Sequence, residues 1–268
     1  MIQKGNLIGQ GVTAEVYNYD SDKILKLYRH GMPQDACENE FYITQNVKRS
    51  LGISPKCYEI INLEGRIGAI YEKVDGKTML KEILSKVWTI SKQSKLLAHY
   101  HYEIQKNVDF KLPTVKDKLK RDIESVNELS VIEKETLFEY IDSLPDGNTL
   151  CHFDFHPDNI IIKNGKPIII DWMTACIGDG VSDVARTSVI LKYSEVPMKS
   201  AFIKKIFKGI AKKVYYNYLK EYIKISGAHI EDIQKWELPI AAARLYEWRP
   251  KEEQKQLLKI VHQYIKSN

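Results

Sequence analysis

Asp154, Asn159 and Asp171 are the residues of this chain whose types and spacing could do chemistry. The run His152-Phe-Asp154-Phe-His156-Pro-Asp-Asn159 sets an acid and an amide in the order His-x-Asp-x-x-x-x-Asn, the spacing of a kinase catalytic loop. Asp171 ends the apolar run Pro167 to Ile170, so a second carboxylate emerges from a strand shortly afterwards. The chemistry these groups suit is transfer of a phosphoryl group from a nucleotide to a hydroxyl. Little covalent work is left to a protein in that reaction. Charge on the phosphate oxygens must be neutralised and the attacking oxygen aligned, tasks for hard oxygen ligands and for a carboxylate that accepts a proton late. Asp154 is the expected catalytic base. Asn159 and Asp171 are the expected Mg2+ ligands, Asn159 adding no repulsion towards a triphosphate.

The elements that must position these groups can be read on either side. Ile160-Ile161-Ile162 and Ile168-Ile169-Ile170 flank Asn164-Gly165, the pattern of a tight hairpin, and Pro157 fixes the loop before it. His152 and His156 stand at i, i+4, but Pro157 beside them argues against a helical metal pair. Buried histidines bonding the loop backbone are the expectation. Upstream, Gly9-Gln10-Gly11 lies among alternating residues and reads as a phosphate lid. Lys23-Ile-Leu-Lys-Leu-Tyr28 reads as a half-buried strand whose Lys26 grips nucleotide phosphates, with Lys23 as the rival. Residues Asp35 to Val47 read as a helix; Glu40, beside the stripe of Phe41, Ile43 or Thr44, and Val47, is the chosen partner of that lysine, with Glu38 as the alternative. The apolar strand Ile67 to Val74 gives way to the turn Asp75-Gly76, a hinge signal, and the backbone of Glu72, Lys73 and Val74 is where a base would hydrogen-bond.

With His152-Phe-Asp154-Phe-His156-Pro-Asp-Asn159, Ile170-Asp171-Trp172, Tyr71-Glu-Lys-Val-Asp-Gly76 and Gly178-Asp-Gly-Val-Ser-Asp183-Val-Ala-Arg186, most of the chain resembles the aminoglycoside phosphotransferase and choline kinase family, small-molecule relatives of protein kinases. The resemblance implies an α+β, bilobal, protein-kinase-like fold. It has a small β-rich nucleotide-binding lobe over 1–74 and a larger, mainly helical lobe over 75–268 for catalysis and acceptor binding. It also implies ATP or GTP as donor with Mg2+, and a structural Asp183 that caps a helix start after Ser182 and bonds the loop backbone around His152. Ala14 stands at the third lid glycine, and Tyr71 narrows the base pocket, leaving ATP or GTP open. No Ala-Pro-Glu follows Asp171 within the usual distance, which disfavours a protein kinase.

Composition sets the remaining bounds. A chain of 268 residues with ordinary apolar and charged content reads as a globular enzyme with one large core or two modest lobes. Without a signal-peptide stretch after Met1, a transmembrane run, or paired spacing among Cys37, Cys57, Cys151 and Cys176, the expected setting is the reduced cytoplasm. The net charge of +5 is concentrated in Lys199, Lys204, Lys205, Lys208, Lys212, Lys213, Lys220 and Lys224. Ile203, Phe207, Ile210, Val214 and Tyr218 recur between them at helical spacing, so these lysines read as the wet face of an amphipathic helix, with neither nucleic acid nor membrane as partner. Met79 to Gln105 and Pro113 to Asp142 also read as helical, and Leu238 to Ile265 completes the acceptor side. A cationic acceptor would call for carboxylates, available at Asp179, Glu195, Glu231, Asp232, Glu237 and Glu247; exposed helix acids are the competing reading. The expected protein is thus a kinase of a small, hydroxylated, amine-bearing molecule, with a catalytically idle nucleotide-binding module and a protein kinase as alternatives.

Overall fold

The computed structural model describes residues 4–195, 200–247 and 249–267. Met1 to Gln3, Lys199 of the basic run and Trp248 of the C-terminal segment lie outside them. Among the described residues the strands are β1 (Leu7–Gln10), β2 (Ala14–Asn18), β3 (Lys23–Tyr28), β4 (Cys57–Leu63), β5 (Arg66–Glu72), β6 (Thr149–Cys151), β7 (Ile160–Lys163), β8 (Lys166–Ile169) and β9 (Cys176–Gly178). The α-helices are α1 (Gln34–Leu51), α2 (Met79–Ser85), α3 (Ile90–Ile104), α4 (Val115–Glu124), α5 (Val131–Ser143), α6 (Gly180–Tyr193), α7 (Ala201–Ser226), α8 (Ile230–Ala243) and α9 (Lys251–Ser267). Two compact units form, Met1–Glu82 with Pro157–Thr174, and Ile83–His156 with Ala175–Asn268.

The first unit is an antiparallel sheet in the order β1-β2-β3-β5-β4, with α1 and the β7–β8 hairpin. Side chains alternate across a strand, and β3 uses both faces. Leu25 and Leu27 join Ile61 and Ile70 in one buried cluster. Tyr28 and Ile24 join Ala14, Ala69, Tyr71 and Cys37 of α1 in another, so Lys26 shares the α1 face. α1 runs about a turn beyond Val47 and stops at Gly52, whose φ of 73° lets its amide bond the carbonyls of Val47 and Lys48. In the hairpin, Asn164 (φ 52°) and Gly165 (φ 76°) supply the two left-handed residues that a tight two-residue turn demands. Gly76 packs on this hairpin so closely that a Cβ would stand 2.7 Å from the Ile162 carbonyl.

The second unit is mainly helical around the short β6–β9 pair. Met79 to Gln105 is not one helix: Lys86 leaves helical geometry (φ −141°, ψ 72°), and a 3₁₀ turn over Val87–Thr89 precedes α3. Pro113 to Asp142 likewise divides, because Ser130 and Glu133 form a capping box that starts α5 anew. α6 is buried over Ser182 to Ile190, the central helix of its unit. α7 departs most from its sequence pattern: Val214, Tyr218, Leu219 and Tyr222 are buried, whereas Ile203 is 53% exposed. The inward stripe therefore holds only for the C-terminal half. Among the described residues no helix is long and apolar enough to cross a membrane.

Candidate active site

All the expected site residues except Asp154 lie in the first unit. Lys26 on β3 reaches Glu40 on α1 with Nζ 2.6 and 2.8 Å from the two carboxylate oxygens, and donates to Asp171 Oδ1 at 3.0 Å. Glu40 is buried and also accepts from the Tyr28 hydroxyl. Burial pushes the Lys26 pKa down, but Asp171 and Glu40 outweigh it and hold the ammonium charged well above its usual range. The rival groups are engaged elsewhere: Lys23 lies over the Tyr58 ring at 4.9 Å, and Glu38 accepts from Gln34.

The hairpin places the two expected metal ligands. Ile160 pairs with Ile169, and the Ile170 amide donates to the Asn159 carbonyl at 3.0 Å, so Asn159 and Asp171 sit together at the open end of β7–β8. Asp171 has a φ of 65°, a conformation aspartate tolerates better than most residues. Behind it Trp172 is buried and donates from Nε1 to the Ile169 carbonyl. Asp158 accepts from the Thr78 hydroxyl at 2.8 Å, tying the loop to the segment that starts α2. In the expected lid, the Gly11 amide donates to the Ala14 carbonyl, and Arg29 donates to the Gly11 carbonyl. A Cβ at Gly9 or Gly11 would meet no atom nearer than 3.7 Å, so the protein alone does not require glycine at either position. The Glu72 and Lys73 amides donate to the carbonyls of Lys56 and Asp22, and the Glu72 carboxylate takes Lys163. Val74 is half-buried just beyond β5.

In the second unit Asp154 is carried on a loop held by polar and charged side chains acting on its backbone. Asp183 accepts from the amides of His152 (2.7 Å) and Phe153 (2.8 Å) and lies 2.9 Å from His101 Nε2. Arg186 Nε donates to the Phe153 carbonyl, and the Thr187 hydroxyl donates to that of Phe155. These contacts hold Phe153 at φ 61°, a strained setting for a bulky residue. Buried His152 accepts from the Asp154 amide, as expected for a loop-bonding histidine. His156 is not buried; its Nε2 lies 3.4 Å from Asp154 Oδ2. Burial alone would raise the Asp154 pKa, but His156, Arg186 and His152 outweigh it and keep the carboxylate well below its ordinary range. Asp183 does not cap a helix start: α6 begins at Gly180, capped by Asp179, whose carboxylate accepts from the Val181 amide.

The family model described as "Phosphotransferase enzyme family" matches residues 4–198. The chain belongs to that family. Three solved structures share the protein-kinase-like fold of this phosphotransferase. Aminoglycoside phosphotransferase APH(2'')-Ib with ADP bound is 15% identical, with 100% of this chain and 93% of that one covered and a TM-score of 0.57. The streptomycin-ATP-APH(2'')-IIa ternary complex is 15% identical over 98% and 92%, with a TM-score of 0.57. An aminoglycoside-3'-phosphotransferase of type VIII is 17% identical over 92% and 91%, with a TM-score of 0.59. No curated protein matches the sequence.

Two features of this phosphotransferase escaped the sequence reading. Arg186 and Thr187 stand i+3 and i+4 from Asp183, whose hold on the loop was expected, and with it form one face of α6 that grips the loop; that spacing was a legible signal. The second is the joining of Arg186 to Glu247, which carries no local signal. Glu247 accepts from Arg186, Arg244 and Arg249, and although burial would raise its pKa, these three arginines hold it down to about 2. Three more of the acids considered for a cationic acceptor are also neutralised internally: Glu195 by Lys204 and Lys208, Glu237 by Lys192, and Asp232 by Lys235.

Proposed function

We propose that this phosphotransferase is a Mg2+-dependent kinase that moves the γ-phosphate of ATP or GTP to a hydroxyl of a small, amine-bearing molecule of aminoglycoside-like or choline-like type. The observation that carries the reading is the Lys26–Glu40–Asp171 set, because a lysine held charged beside an accessible carboxylate is the arrangement a triphosphate with a divalent ion needs. The residues present fit magnesium. Asp171 and Asn159 offer hard oxygens, and Asp171 is 39% exposed, in keeping with a cation that takes one or two protein oxygens and completes its shell with phosphate and water. The bound ion would neutralise charge on the phosphate oxygens.

Lys26 would grip the phosphates while Glu40 fixes its ammonium. Gly9 and Gly11, which the fold itself does not demand, would let the lid backbone approach them. With the Glu72 and Lys73 amides engaged, we assign the Val74 amide to the base. Asp154, ionised across the neutral range, would orient the acceptor hydroxyl and take its proton as the phosphoryl group departs. With Glu195, Asp232, Glu237 and Glu247 already paired, the amine of the acceptor is supported by the likeness to aminoglycoside phosphotransferases.

The test is release of nucleoside diphosphate from ATP and from GTP with Mg2+ across aminoglycosides, choline, ethanolamine, homoserine, methylthioribose and ketosamines, beside Asp154→Ala. Acceptor-stimulated release that disappears in the variant is the expected result. Measurable Mg-nucleotide binding with no release for any acceptor would favour an idle nucleotide-binding module.

A further inference from the structure

α3 and α7 pack together in the second unit, and their contacts set direction. His101 lies 2.6 Å from Tyr218 and Gln105 lies 2.6 Å from Tyr222, the same separation along the chain in both cases. The two helices therefore run the same way, and the Val87–Thr89 turn before α3 is level with residues 204–206 near the start of α7. Contacts also set the side. Glu221 meets Lys95 and His99, and Ile203 precedes Glu221 by five helical turns, which puts both on one side of α7. Trp88, Lys92, Lys95 and His99 line a shallow groove along α3.

At this shared end Trp88 is 77% exposed, Phe202 72%, Ile203 53% and Ile206 48%. The two segments that carry them hold charge of one sign. Residues 84–95 and 200–213 contain eight lysines and no aspartate or glutamate. Lys204 and Lys208 are taken up by Glu195, while Lys92, Lys205, Lys212 and Lys213 are exposed.

We propose that this end of the second unit docks on an anionic lipid bilayer, Trp88, Phe202, Ile203 and Ile206 entering the headgroup layer and Lys92, Lys205, Lys212 and Lys213 meeting lipid phosphates. Charge and apolarity select this occupant together. A second copy would bring lysines against lysines. Nucleic acid would satisfy the lysines but offers no layer in which isoleucines leave water. A bilayer bearing acidic headgroups satisfies both, and it adds a membrane surface to a chain whose sequence pattern pointed to a solvated helix face.

The experiment is co-sedimentation of the full chain with phosphatidylcholine vesicles and with phosphatidylcholine–phosphatidylserine vesicles. Variants are Trp88→Ser/Phe202→Ser and Lys205→Gln/Lys212→Gln/Lys213→Gln, with unfolding midpoints showing that each still folds. Pelleting with the anionic vesicles alone is expected. The first variant should weaken it at least roughly tenfold, since burying one large apolar side chain is worth more than that factor; the second should abolish it at physiological salt. No pelleting, equal pelleting with neutral vesicles, or full binding by the first variant would overturn the proposal. So would binding of RNA or of an acidic protein that depends on these residues when vesicles do not bind.

Discussion

Lys26 in the first unit and Asp154 in the second are both held by charge, but the holding groups differ in kind. Lys26 is fixed by two side chains, Glu40 and Asp171, and Asp171 is more than a third exposed. Asp154 is fixed through its backbone, with Asp183 on two loop amides and Arg186 and Thr187 on two loop carbonyls, all from α6. Ion pairs between side chains can exchange when a phosphate arrives, because each partner keeps its rotamers. A loop whose amides and carbonyls are already bonded has one conformation before any ligand binds. The first arrangement suits groups that must trade partners during a cycle, and the second a base that must be in place beforehand.

The largest effect should come from the proposed base, Asp154. Asp154→Ala should lower turnover by about 10² to 10⁴, with Mg-nucleotide affinity by calorimetry nearly unchanged because the Lys26 set remains whole. Normal turnover in that variant would remove Asp154 from the role given to it.

Next comes the support of the loop. Asp183 is fully buried, and its loss would take their carboxylate partner from two amides and from His101 Nε2. Asp183→Ala should cost about 3–5 kcal/mol in urea unfolding. The pH dependence carries a sign. Burial would raise the Asp183 pKa, but His101, His152 and the Phe153 amide hold it below its ordinary value, so the folded chain takes up this proton less readily than the unfolded chain. The stabilisation is fully present above about pH 4 and is lost as pH falls through the lower folded value. Wild type should thus lose stability on acidification more steeply than Asp183→Ala; parallel curves would mean that this carboxylate is not the acid-sensitive tie.

A smaller effect belongs to the first unit, where one partner of Lys26 can be removed and the other kept. Glu40→Gln should weaken nucleotide binding by roughly 10- to 100-fold, the worth of a hydrogen bond to a charged group, with little change in kcat once nucleotide saturates. An unchanged Km would mean that Asp171 alone orients the lysine and that the two arrangements differ less than the contacts suggest.

What could be read in advance follows the same division. The β7–β8 hairpin was legible because Asn164-Gly165 is a local signal, and Lys26 with Glu40 because strand alternation and a helix stripe each have a short period. The Arg186–Glu247 tie joins residues far apart in sequence, so no local spacing announces it. The break at Lys86 was hidden because the residues around it have no strong breaker, and the exposure of Ile203 because a helical stripe states which residues share a face without stating that anything packs on it.

The smallest effect tests the alternation itself. Lys23 and Lys26 are three residues apart on one strand, so they point to opposite faces, Lys26 towards α1 and Lys23 with Leu25 and Leu27. Lys23 has a Tyr58 ring as its neighbour, an interaction worth about 0.5–1 kcal/mol at an exposed site. Lys23→Ala should therefore cost no more than that in stability and leave nucleotide Km and kcat within about twofold, a change too small to reach phosphate binding. Lys26→Ala should raise nucleotide Km or lower kcat far more, since Glu40 would lose its ammonium partner while staying buried. If the two variants behaved alike, the sheet face would not be what selects the phosphate-gripping lysine, and the side-chain arrangement of the first unit would have to be built around Lys23.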